Sequence, residues 1–140
     1  MESLILAFER QRPTLEDIAA ALSSFSSLEV QDDQVVVCER GDCVFVQPED
    51  QPPAWWFQSW PSDLVPADPQ ALVLAYRDGD LVKRVVLTLA QRYRFVVDTD
   101  TGGIYASDDF ARRCGREPGW DWRHGARTVL APASRQRRRA

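Results

Sequence analysis

The stretch ALVLAYRDGDLVKRVVLTLAQRYRFVVDTDTGGIYA, Ala71–Ala106, carries the pattern that decides the fold. Its hydrophobic period changes twice. Ala71–Arg77 is a short apolar run stopped by Asp-Gly-Asp, which predicts a strand. From there Leu81, Val82, Val85, Val86, Leu89, Ala90 and Tyr93 recur at helical spacing and line one face. Asp78 or Asp80 stands where such a helix needs its N-cap. The run RFVVDTD returns to a strand, and GIYA can fold back against it across Thr-Gly-Gly.

The same order stands upstream. Ser3–Arg10 predicts a first strand. Thr14 can cap a helix, with Asp17 three residues on as a weaker capping box. Leu15, Ile18, Ala19, Leu22 and Phe25 form that helix's apolar face. A strand near Leu28–Val30 follows, then a hairpin pairing Gln34–Cys38 with Cys43–Gln47, with Gly41 in the turn. Between the two halves lie Gln47–Gln70, with six of the nine prolines and three tryptophans. Proline removes ladder donors and blocks helix interiors, so an irregular connection is expected. Downstream, Ser107 can cap a short helix over Asp108–Cys114, closed by Gly115, and Arg127–Leu130 can form a last strand.

The element order reads β-α-β-β, a long Trp/Pro-rich loop, β-α-β-β and a short C-terminal helix. Two such halves can pack both main helices on one face of a mostly antiparallel sheet, which is an α+β two-layer sandwich. Residues 1–133 are expected to form a single domain, with 134–140 a basic disordered tail.

The composition, 44% hydrophobic and 27% charged over 140 residues, is globular. No run approaches the roughly 18 apolar residues of a membrane span. Glu2 stands where a signal peptide needs a basic region, so a cytoplasmic protein away from membranes is expected. Charge is uneven. Residues 1–109 hold 8 basic and 19 acidic side chains, a net of −11, whereas 110–140 hold 9 arginines and 2 acids, a net of +7. An acidic body repels nucleic acid and attracts a basic partner. The arginine-rich C-terminal third, above all Arg135, Arg137, Arg138 and Arg139, leaves a nucleic-acid-associated factor as an alternative.

Chemistry is looked for first at Asp98 and Asp100. FVVDTDTGG resembles the first motif of haloacid-dehalogenase-type phosphotransferases but has Gly102 where the pattern needs Thr or Val, and the only lysine, Lys83, lies upstream in a helix. Counted as a calcium loop, Gly102 offers no oxygen at the fifth position and Asp109 replaces the longer glutamate at the twelfth. A small metal-dependent enzyme centred on Asp98 and Asp100 is therefore a second alternative, and a hairpin turn is the expected reading. Cys38, Cys43, Cys114 and His124 match no zinc spacing. An odd cysteine count suits a reducing compartment, and half-buried thiols are expected, with a cross-strand disulfide as the alternative. The lone His124 has no nucleophile elbow to serve. No phosphate loop or dinucleotide fingerprint is present, so no catalytic residue, metal or cofactor is expected.

Two aromatic clusters stand out. Trp55, Trp56 and Trp60 lie in the proline-bounded loop, and Trp120 and Trp122 alternate downstream. Such rings either fold back as a lid over the open sheet face or anchor a protein interface.

The amphipathic helix followed by RFVVDTDTGGIYASDDF, together Gly79–Phe110, resembles the end of small α+β immunity proteins of bacterial polymorphic-toxin and contact-dependent antagonism systems. The resemblance implies a non-enzymatic protein-binding module that neutralises a cognate toxin, such as a basic toxin domain, by binding it. The partner surface would then draw on Trp55, Trp56, Trp60, Asp98, Asp100, Trp120 and Trp122.

Overall fold

A computed structural model describes residues 1–123 of the chain. The expected strand at Arg127–Leu130, His124 and the basic tail with Arg135, Arg137, Arg138 and Arg139 lie outside the described residues.

Among the described residues seven strands form one antiparallel sheet. They are β1 (Glu2–Phe8), β2 (Ser27–Val30), β3 (Val35–Glu39), β4 (Asp42–Glu49), β5 (Gln70–Tyr76), β6 (Val96–Asp98) and β7 (Ile104–Ala106). The spatial order is β2-β3-β4-β5-β1-β6-β7. The helices α1 (Leu15–Ala21), α2 (Gly79–Ala90) and α3 (Ser107–Arg116) pack on one face. The fold is a two-layer α+β sandwich. The first half carries one strand more than the order β-α-β-β, because β2, β3 and β4 all join the sheet.

Alternation decides which strand residues meet the helices. Leu4, Leu6 and Phe8 of β1, Val35 and Val37 of β3, Val44 and Val46 of β4, and Leu72, Leu74 and Tyr76 of β5 are buried in one core. The helices contribute Ile18, Leu22 and Phe25, then Leu81, Val82, Val85, Val86 and Leu89, then Phe110 and Cys114. The intervening residues, Ile5, Phe45, Val73 and Ala75, are half-buried on the sheet face that carries no helix.

The caps at the first two helices follow local chemistry. Thr14 Oγ1 accepts from the Asp17 N–H at 3.0 Å, and the Asp17 carboxylate accepts from the Thr14 N–H at 3.4 Å, a complete capping box. Asp78 caps α2 by accepting from the Asp80 N–H at 2.9 Å. At α3 the expectation is corrected. Ser107 is the first helical residue and its Oγ accepts from the Phe95 N–H at 3.3 Å, so it holds the start of β6 rather than the helix end. Gly115 is likewise inside α3, which runs on to Arg116, and does not close it in the left-handed region.

The β3–β4 hairpin turns through Arg40 (φ 53°) and Gly41 (φ 84°), which places Cys38 opposite Cys43. The two are joined as a disulfide with Cα atoms 4.1 Å apart, the close spacing of a non-hydrogen-bonded antiparallel pair. This corrects the expectation of thiols at these two positions. A two-residue turn sets the register, and the register brings the sulfurs together. Cys114 is a free, buried cysteine.

Candidate functional site

The long connection leaves the end of β4 and returns to its neighbour β5, with Glu49 paired opposite Ala71. Residues 50–69 are thus an enlarged hairpin loop. It contains two 3-10 turns, Ala54–Phe57 and Ser62–Leu64, and lies over part of the helix-free face as a lid. Ala7 and Ala71 point to that face and are nevertheless fully buried. Leu64, Val65, Pro66 and Ala67 stand beside Ala7, Val96 and Ala106 across a cleft of about 430 Å³.

Four ties brace the lid. Arg12 holds Asp50 with two guanidinium N–H groups, at 2.6 and 3.3 Å, a fork on a carboxylate. The Arg12 backbone N–H donates to Gln70 Oε1 at 3.1 Å, so one residue holds both ends of the lid. The Arg10 N–H donates to Ala67 O at 3.0 Å. In the middle, Trp60 Nε1 donates to Asp98 Oδ2 at 3.2 Å, and Phe57 packs edge-on against Trp60 at 4.7 Å.

Between these ties the turn Ala54–Phe57 projects outward. The Trp56 N–H donates to Pro53 O at 3.1 Å, closing the turn. Trp56 is half-buried and meets Trp55 edge-on at 6.4 Å. Trp55 is 67% exposed. The segment from Glu49 to Gln70 carries Glu49, Asp50, Asp63 and Asp68 and no basic residue. Beside the turn a cleft of about 600 Å³ opens, walled by Pro52, Ala54, Phe57, Val65 and Pro69, with Arg10 and Asp68 also lining it.

The seven residues expected to form one partner surface separate into three places. Trp55 and Trp56 stand on the lid. Trp60 and Asp98 are buried beneath it, at 5% and 1% exposure. Asp98 Oδ1 also accepts from the Asp100 N–H at 2.8 Å, so Asp98 is a turn-former and a lid anchor, not part of an exposed acidic face. Asp100 is half-buried in the β6–β7 turn with φ 63°, a left-handed position that aspartate tolerates better than most residues.

Trp120 and Trp122 are buried in the helix layer, at the opposite side of the sheet from the lid. They form an aromatic cluster with Phe110, Tyr105 and Tyr76, with centroid distances between 5.5 and 6.2 Å. Trp122 Nε1 donates to the Tyr76 hydroxyl at 2.9 Å, and the Arg113 guanidinium lies 4.3 Å from the Trp120 ring. These rings complete the core; they do not present a face to a partner. Beside them the Arg123 guanidinium is held by Asp121 and Glu2, which keep it protonated.

Sequence reasoning missed the Arg12 clamp. Its partners lie 38 and 58 positions away, and no local pattern marks it. Among the described residues, no group of three His, Cys, Asp or Glu side chains could hold a metal ion, and no helix is long and apolar enough to cross a membrane. Compared with family models, curated proteins and solved structures, the chain matches none.

Proposed function

We propose that this chain is a non-enzymatic protein-binding module that presents Trp55, with Trp56 at its side, to a basic partner. One observation carries the reading. Trp55 is two-thirds exposed on a loop that is otherwise pinned to the sheet. An exposed indole on a flexible loop would lose much of its binding free energy to ordering. On a braced turn that cost is already met in the free protein. Tryptophan is among the residues that dominate interface energetics when buried against a partner pocket. Asp50 is paired with Arg12, and the other carboxylates of the segment, Glu49, Asp63 and Asp68, favour a positively charged partner and speed its encounter.

The finer reading is an immunity or inhibitor protein that binds and occludes a basic toxin domain in the cytoplasm. It is supported by the resemblance carried by Gly79–Phe110 and by the charge of this lid.

The test uses the full chain as bait in lysates of its own host, beside Trp55→Ala. A basic protein should be retained stoichiometrically by the native chain, released by salt, and lost with Trp55→Ala at unchanged thermal stability. Expressed alone that partner should arrest growth, and co-expression of this chain should restore it. Recovery of no stoichiometric partner, or equal retention by the variant, would overturn the binding reading. A non-toxic partner would overturn only the immunity reading.

A further inference from the structure

The Cys38–Cys43 bridge lies apart from the lid. Val35 and Val37 face the helices, so Cys38 faces the open side of the sheet, as does Cys43 opposite it. The lid covers the other end of β4, beyond Glu49, and both cysteines are half-exposed. Their surroundings do not need the bridge. The turn is closed by Arg40 and Gly41 at positive φ and by the Glu39–Asp42 pair. The hairpin tip is tied to α2 by Glu39, whose carboxylate accepts from Arg84 at 2.7 Å. Arg84 in turn lies over the Phe25 ring at 5.6 Å. The ring closed by the bridge spans a sequence separation of only 5. A ring that small constrains the unfolded chain less than the long loops in which disulfides stabilise most. The third cysteine cannot compete, because Cys114 is 6% exposed and burial pushes its thiol up.

We propose that Cys38 and Cys43 form a reversible thiol–disulfide couple that low-molecular-weight thiols open and close while the fold stays intact. A glutathione thiolate attacks one Sγ, the S–S bond breaks, and the electron pair leaves on the other Sγ, which takes up a proton. A second glutathione thiolate then attacks the mixed disulfide and releases the first cysteine. Two glutathiones thus give up two electrons to the pair and leave as one glutathione disulfide, and the protein gains two protons. The couple is independent of the partner-binding reading.

The experiment places the purified full chain in buffers of set reduced-to-oxidised glutathione ratio, quenches with an alkylating reagent, and reads intact mass beside far-UV circular dichroism. In reducing buffer Cys38 and Cys43 should be alkylated and Cys114 spared until denaturant is added. The spectrum should be unchanged, and the thermal midpoint lower by roughly 5–10 °C. In oxidising buffer both should again be protected. Cys43→Ser should trap glutathione on Cys38 in the native protein. The proposal is overturned if millimolar glutathione leaves the native bridge closed, if reduction abolishes the native spectrum, or if oxidised glutathione does not restore the bridge.

Discussion

Trp60 and Asp98, 38 positions apart, meet in a buried hydrogen bond of 3.2 Å that joins the middle of the lid to β6. The same carboxylate uses its other oxygen to accept from the Asp100 N–H at 2.8 Å. A single side chain therefore closes the β6–β7 turn and anchors the loop that carries Trp55. These donors help a carboxylate to be 1% exposed here. Its oxygens have donors, and an indole N–H that would otherwise be buried without an acceptor is satisfied.

Asp98→Ala removes the acceptor of the Trp60 indole and the Asp100 N–H and should destabilise by about 2–4 kcal/mol, against about 1–3 for Trp60→Phe. The double variant should cost less than the two added together, because the bond is lost only once. Urea unfolding with an unchanged m-value reads this. Strict additivity would show that the two residues do not stabilise each other.

Arg12→Ala should loosen the lid rather than the fold. The clamp ties both lid ends to the segment before α1, and Arg12, Asp50 and Gln70 are not among the core residues. Limited proteolysis within residues 50–69 should accelerate by about tenfold with little change in the global urea midpoint. Arg12→Lys should restore only part of the protection, since an ammonium cannot make the two-pronged contact with Asp50. Equal proteolysis of all three proteins would refute the clamp.

Two glycines should fail for different reasons. A Cβ on Gly103 would stand 2.5 Å from Tyr105 Cε2 and 2.8 Å from its hydroxyl. Tyr105 would have to move, and it packs on Phe110 and Trp120. Gly103→Ala should therefore cost about 1–3 kcal/mol by overpacking and alter the tryptophan near-UV signal. Gly41→Ala meets no atom within 4 Å but sits at φ 84°, so it should cost about 1–2 kcal/mol of backbone strain and leave that signal unchanged.

Stability should fall at alkaline pH. Burial pushes the Cys114 thiol above its ordinary value of 9.0 and the Tyr76 phenol above 10.0. The folded chain holds both protons more tightly than the unfolded chain, so above these values unfolding releases protons and stability drops as pH rises. Below about pH 8 both groups are protonated in both states and their contribution is flat. Tyr76→Phe should start lower, having removed the acceptor of Trp122 Nε1, and fall less steeply above pH 10. Urea midpoints from pH 7 to pH 10.5 check this, and parallel curves for the two proteins would exclude Tyr76 as a source.

The elements were legible where a few neighbouring residues decide them. The Thr14–Asp17 box, the Asp78 cap and the apolar face from Leu81 to Leu89 stand where the spacing predicts. Ser107 departs from its local pattern for the opposite reason. A serine before an acidic helical start is a good local cap, but the Phe95 N–H, 12 positions away, claims its hydroxyl. At the site, the irregular connection follows from the prolines, whereas the exposure of Trp55 and the braces do not. Arg12 looks like any surface arginine until the fold brings Asp50 and Gln70 to it.

By itself the sequence determined the strands, the helices and their inward faces, because period and capping depend on contacts within one or two turns of chain. Tertiary structure alone decided the order β2-β3-β4-β5-β1-β6-β7 and the fate of each tryptophan. An indole suits a core or an interface equally well, and a carboxylate suits a turn or an acidic face. Only neighbours distant in sequence choose between them. Tyr76 and Phe110 draw Trp122 inward, Asp98 draws Trp60 inward, and among the described residues no such neighbour covers Trp55.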